Sequence, residues 1–314
     1  MNCFVVRAIV KRRLTGPENP HQILPLMRPE PHTPHPDQRA AAAFTLTELL
    51  VVTGVLAILV LTVLPALARS HPTTKSALCQ HNLRQLAVAW QTYAEDYSGK
   101  IVPNNHSGLV LPPPPAPSAS WASGSLDWSV NTDNTNILRL IDARYALLGP
   151  YVGGASNTFK CPADTYLSVA QKARGWLQRV RSYSANIYIG EGNASNGPFD
   201  PIYRQVRKIS EFRYPPPAQA WLYVEEHPDS INDPAFFSPQ QATWIDWPAT
   251  YHNGAANFAF SDGHTETRKW RGSLAAGLAT RVSFTFSSFP PVPAGDADIS
   301  WMSFRTPRIF SLSY

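Results

Sequence analysis

The sequence predicts an α+β protein: a long N-terminal membrane-spanning helix followed by an antiparallel β-rich globular domain. Three observations carry this reading. Residues 44–68, FTLTELLVVTGVLAILVLTVLPALA, form a 25-residue apolar run; apolar residues then recur at helical spacing from Cys79 to Tyr97; and from Arg181 onward short β-rich runs alternate with turn signals.

The apolar run exceeds the roughly 20 residues that a helix needs to cross a bilayer. The basic residues of its N-terminal flank, Arg7, Lys11, Arg12, Arg13, Arg28 and Arg39, predict that this flank stays in the cytoplasm and the chain after the run lies outside. Small residues, Ala40 to Ala43, precede the run, whereas a secretory signal places them after it. One acid, Glu48, sits near its start, and an unpaired carboxylate at mid-bilayer would cost about 2.5–3.5 kcal/mol, so it needs a cationic partner.

The segment Ala43-Phe44-Thr45-Leu46-Thr47-Glu48-Leu49-Leu50-Val51-Val52 closely resembles the type IV prepilin signature. The resemblance implies a pilin-type helix, cleavage between Ala43 and Phe44 on the cytoplasmic side by a membrane aspartic peptidase, and methylation of the new N-terminus. It also implies that Glu48 pairs with the new amino group of a neighbouring subunit. Two features depart from the pattern: the family prefers Gly where Ala43 stands, and the 43-residue leader is long, although a start at Met27 would leave 17 residues. A plain single-pass anchor would explain the apolar residues but not Phe44 and Glu48 at this spacing.

Four segments follow: a cytoplasmic leader over 1–43, the spanning helix over 44–68, an amphipathic helix over 69–99 continuing the spine, and a β-rich extracytoplasmic domain over 100–314. Pro65 and Pro72 are expected to kink or interrupt the helical stretch. Beyond them Cys79, Leu83, Leu86, Trp90, Tyr93, Ala94 and Tyr97 share one face, and Gly99 is a plausible stop. Residues 111–120, LPPPPAPSAS, predict a polyproline surface loop, and 137–148 a short helix. Over 255–270, Asp262-Gly263 predicts a two-residue hairpin turn that sets Phe260 opposite Thr265, with Thr265 and Thr267 on the phenylalanine face and Glu266 and Arg268 on the other.

Composition narrows the function classes. Thirty prolines, nine tryptophans, twelve tyrosines and a charged fraction of 16% point to a loop-rich extracytoplasmic fold with an aromatic core. The formal charge is +5, of which the leader supplies three, so about +2 remains after its removal and no basic face for nucleic acid is indicated. With Cys3 in the leader, Cys79 and Cys161 are the remaining cysteines. They form a disulfide candidate for an oxidising compartment, while Cys79 as a small buried hydrophobe and Cys161-Pro162 as a turn with a free thiol stay open.

A second resemblance lies near the C-terminus. Nine residues separate His252 from Asp262-Gly263, similar to the H-X9-DG element of a large bacterial group of prepilin-processed proteins. Cys79-Gln80-His81-Asn82-Leu83-Arg84-Gln85-Leu86, Phe159-Lys160-Cys161-Pro162-Ala163-Asp164 and Val224-Glu225-Glu226 resemble that group in the same order. That group resembles the major pseudopilins of type II secretion in its N-terminal half.

Candidate chemistry is sparse. Glu225, Glu226, Asp229, Asn232 and Asp233 form an oxygen-rich stretch suited to Ca²⁺, an idea the pseudopilin resemblance raises, with a solvated acidic loop as the alternative. His252, Asp262 and His264 offer imidazole and carboxylate for acid–base work or Zn²⁺, but no nucleophile motif accompanies them, and a turn role for Asp262 and a capping role for His252 account for both. The tryptophans read mainly as core, with Trp244 and Trp247 kept as a candidate sugar-stacking pair.

The expectation is therefore a non-enzymatic, prepilin-peptidase-processed, pseudopilin-like subunit of a type II secretion or type IV pilus-like filament, in the bacterial inner membrane with its C-terminal domain in the periplasm or on the cell surface. Its implied partners are the prepilin peptidase/methylase, like subunits through their N-terminal helices, and an inner-membrane assembly platform. The rival is a membrane-tethered binding module for a surface glycan or exported protein.

Overall fold

The computed structural model of the chain describes residues 45–106, 120–192, 200–239, 243–274, 277, 281–285 and 292–309; of the side chains of 62–74 nothing is described. The leader, the Ala43–Phe44 bond and the run 111–119 lie outside the described residues. The chain divides into two units, Met1–Leu56 and Ala57–Tyr314.

One helix, α1, runs from Leu46 to Asp96, 51 residues, through Pro65 and Pro72, where the sequence predicts an interruption. It starts in a capping box. Thr45 Oγ1 accepts the Glu48 N–H at 3.3 Å, and Glu48 Oε2 accepts the Thr45 N–H at 2.9 Å and its hydroxyl at 2.7 Å. It ends in a Schellman turn: the Gly99 N–H reaches Ala94 O at 2.7 Å and the Ser98 N–H reaches Glu95 O at 3.3 Å. Ser98, with φ 54°, takes the left-handed position one residue before the expected Gly99.

The predicted fold class is corrected in two respects. Among the described residues, no helix is long and apolar enough to cross a membrane. The sheet, moreover, is mixed rather than antiparallel. Its strands are β1 (Tyr183–Asn186), β2 (Trp221–Glu225), β3 (Ala235–Phe236), β4 (Ala255–Phe260) and β5 (Thr265–Lys269), in spatial order β3-β1-β2-β4-β5. β3 is parallel to β1, and the other pairs are antiparallel. After β2 the chain reverses through 226–234 and steps past β1 before forming β3, so it returns in the direction of β1. A turn at His227, whose carbonyl accepts the N–H groups of Ser230 and Ile231, and Asp233 Oδ1, which accepts the Ala235 N–H at 2.9 Å, set that path.

Each sheet face buries its own core. Cys79, Leu83, Leu86, Trp90 and Tyr93 of α1 pack with Trp121, Phe159, Tyr183, Tyr223 and Ala259, while Tyr97 at the end of the predicted stripe is exposed. Across the sheet, Trp221, Phe236, Trp244, Phe258, Phe260 and Trp270 pack with Ile299 and Met302 of α2, Ala297–Phe304.

The β4–β5 hairpin differs from prediction by one residue. Phe258 pairs with Glu266 and Ala259 with Thr265, because Gly263, φ 92°, makes the turn three residues long, with its N–H on Phe260 O at 2.9 Å. A slip of one exchanges the faces. Thr267 therefore joins Asn257 on the side of α1, and Arg268 lies over Trp301 on the opposite side.

Candidate functional site

Cys79 on α1 and Cys161, two residues beyond the 3₁₀ turn Ser156–Phe159, are joined as a disulfide with Cα atoms 5.1 Å apart and a sequence separation of 82. Asn82, one turn further along α1, donates to the Lys160 carbonyl at 2.9 Å and holds the same loop. Closing a loop of that length stabilises the fold by about 4–5 kcal/mol in the chain-entropy account.

Two more side chains meet this bridge. Glu225 ends β2, and His252 precedes the turn formed by Asn253 (φ 56°) and Gly254 (φ 76°) that leads into β4. His252 Nε2 lies 2.9 Å from Glu225 Oε1 and 3.6 Å from Cys161 Sγ. Glu225 Oε2 accepts the backbone N–H of Asn257 at 2.7 Å, and Asn257 Nδ2 donates to Oε1 at 3.3 Å. The ligand-type atoms of Cys79, Cys161, Glu225 and His252 all lie within 4.8 Å of one another, and all four residues are buried. Tyr183 donates its hydroxyl to the Cys79 carbonyl at 3.5 Å; burial, and then the Glu225 charge, raises its pKa well above 10, so it stays neutral. Nearby, Lys160 pairs with Asp164 at 2.6 Å, and Ser182 Oγ donates to the same carboxylate at 2.8 Å. Burial opposes the Asp164 charge, but Lys160 and Arg179 outweigh it and lower its pKa.

The five residues considered for Ca²⁺ are not a solvated loop: Glu225, Glu226, Asp229 and Asp233 are buried. They turn to different partners. Glu225 faces His252; Glu226 accepts from Ser230 Oγ at 2.7 Å; Asn232 accepts the Asp233 N–H; and Asp233 accepts the Ala235 N–H. Asp229 accepts from Trp128 Nε1, from the Ser283 N–H and hydroxyl, and from the Phe284 N–H, which pins 281–285. Burial pushes Glu226 up to about 8, with Asp233 adding to the rise and Ser184, Ser230 and Arg181 opposing it. Among the described residues, the His, Cys, Asp and Glu side chains that converge with metal-ligand spacing are those of the cysteine–histidine–glutamate centre.

His252 and Asp262-Gly263 turn out to bracket β4 rather than to meet. Asp262 Oδ1 lies 2.6 Å from His264 Nδ1 on the exposed hairpin turn, while His252 is inside with Glu225. Both ends of β4 are tied to α1. Asn257 bonds Ser76 and Gln80 at one end, and Gln91 Nε2 donates to Ser261 O at 3.2 Å at the other, where a Cβ on Gly263 would approach Gln91 to 3.3 Å. Gln80 to Gln91 is about 16 Å of helix and Asn257 to Ser261 about 14 Å of strand, so the two elements run side by side between these ties.

Trp244 and Trp247 are buried, Trp244 donating Nε1 to Ser273 Oγ at 3.1 Å, and so do not form a sugar-stacking surface. Asn257, which orients the Glu225 carboxylate, escapes sequence reasoning because nothing local marks its partner 32 residues away. No protein-family model, curated protein or solved structure matches the chain, which leaves the residues and their geometry to carry the functional reading.

Proposed function

We propose that the chain is a prepilin-processed, pseudopilin-like structural subunit, cut between Ala43 and Phe44 and assembled with like subunits through the N-terminal part of α1. The observation that carries this reading is the contrast along α1. Leu46, Ile58 and Leu61 are 80%, 64% and 71% exposed in a stretch of mostly apolar residues, whereas Leu83, Leu86 and Trp90 are buried against the sheet. An exposed apolar stretch of this kind is the mark of an association site. The Cys79–Cys161 disulfide supports an oxidising, extracytoplasmic setting for the sheet domain. The peptidase/methylase and an assembly platform are the partners this reading requires. Burial of Trp244 and Trp247 removes the aromatic surface that favoured a glycan-binding module.

N-terminal sequencing of the protein from its native host tests the proposal. A chain beginning at N-methylated Phe44 is expected; an intact segment before Phe44 in the assembled protein would overturn it.

A further inference from the structure

We propose that the chain with Cys79 and Cys161 reduced binds one Zn²⁺ through Cys79 Sγ, Cys161 Sγ, His252 Nε2 and Glu225 Oε1. The disulfide and the metal are then alternative ties between the same two stretches of chain. The inference is independent of the subunit reading above.

Four observations converge. The four donor atoms lie within 4.8 Å of one another and are buried. Tetrahedral Zn²⁺ with bonds of about 2.3 Å to sulfur and 2.0–2.1 Å to nitrogen places sulfur and nitrogen about 3.6 Å apart, and His252 Nε2 lies 3.6 Å from Cys161 Sγ. The same geometry asks about 3.4 Å between nitrogen and carboxylate oxygen, so the 2.9 Å hydrogen bond between His252 and Glu225 opens by about 0.5 Å to admit the ion. Once the S–S bond is broken, the sulfurs separate to about 3.8 Å by rotation about their Cα–Cβ bonds. Finally, the Asn257 N–H holds Glu225 Oε2 at 2.7 Å and leaves Oε1 turned to the centre, the outer hydrogen bond that fixes a metal-bound carboxylate.

Two thiolates select a soft or borderline ion over Ca²⁺ or Mg²⁺, and four protein ligands close the site to water, which makes its role structural rather than hydrolytic. The redox step uses a dithiol reductant. It donates two electrons and two protons to the S–S bond, yields two cysteine thiols, and itself becomes a disulfide. Zn²⁺ binding then releases those two protons to solvent as both sulfurs coordinate as thiolates.

The test uses the full chain, reduced with a dithiol that is then removed anaerobically, and titrated with Co²⁺ and then Zn²⁺. One equivalent of Co²⁺ should bind with thiolate-to-cobalt charge-transfer absorption and strong tetrahedral visible bands, both abolished by Zn²⁺, and the oxidised chain should show neither. His252→Ala and Glu225→Gln should weaken binding at least about tenfold. If the reduced chain unfolds without metal, Zn²⁺ should restore its circular dichroism. A reduced chain that folds yet shows no charge-transfer band, one that Zn²⁺ fails to refold, or a Cys161→Ser variant with an undiminished band would overturn the proposal.

Discussion

Glu225 and His252, 27 residues apart, share a buried hydrogen bond of 2.9 Å, and the same carboxylate takes the Asn257 N–H at 2.7 Å. One side chain at the end of β2 therefore fixes the turn into β4 and the strand itself.

Removing that carboxylate leaves buried donors without an acceptor. Glu225→Ala should lower unfolding free energy by about 3–5 kcal/mol, whereas Glu225→Gln, whose amide oxygen still accepts the Asn257 N–H, should cost less than half as much. Urea midpoints at constant m-value measure this. Equal losses in the two variants would show that the hydrogen bond is not the cause.

Glu226 gives stability a pH dependence. Its carboxyl moves from 4.5 to about 8 on burial, so between those values the folded chain holds a proton that the unfolded chain has lost. Stability is full below 4.5 and falls by up to about 1.4 kcal/mol per pH unit as pH rises towards 8. Asp246, raised by burial and by the Glu226 charge, changes in the same direction. Glu226→Gln should therefore remove about one proton's share of the slope between pH 5 and pH 8, read by chemical denaturation, and be more stable than the parent at pH 8. An unaltered slope would locate the titration elsewhere.

Gly263 carries two demands, a φ of 92° and an approach to Gln91, while Gly254 has φ 76° and open space around it. Gly263→Ala and Gly254→Ala should each lose about 1–2 kcal/mol from backbone strain, with Gly263→Ala the worse. Trimming Gln91 to Ala in the Gly263→Ala background should recover the difference in melting temperature. No recovery would assign the whole cost to the backbone.

Glu48 separates capping from assembly. Glutamine still closes the box with Thr45 but carries no charge, whereas alanine loses both. If the carboxylate pairs with the amino group of a neighbouring Phe44, Glu48→Gln and Glu48→Ala should both lose cysteine crosslinks between copies, with cleavage intact. Crosslinking retained by Glu48→Gln alone would reduce the role of Glu48 to helix capping.

The buried stripe of α1 was legible because Leu83, Leu86, Trp90 and Tyr93 follow the helical period, which local sequence displays directly. The hairpin's place was legible from Asp262-Gly263, but not its register, since Gly263 in the left-handed region adds a third turn residue that the dipeptide does not announce. The parallel β3 was hidden because two residues, Ala235 and Phe236, make too short a run to register as a strand. The centre itself was half legible. Both cysteines, Glu225 and His252 stood out by residue type, yet their meeting depends on pairings 27 to 91 residues long, which only the folded sheet creates.

β5 forms one edge of the described sheet, and its residues Thr265–Lys269 include Glu266, Arg268 and Lys269. An exposed strand edge is a template for uncontrolled addition of further strands, and charged side chains blunt it. In the assembly proposed above, neighbouring copies would be exposed to that hazard. Charges along β5 would disfavour amyloid-like edge addition there and, on the proposed reading, leave the apolar start of α1 as the surface for ordered contact.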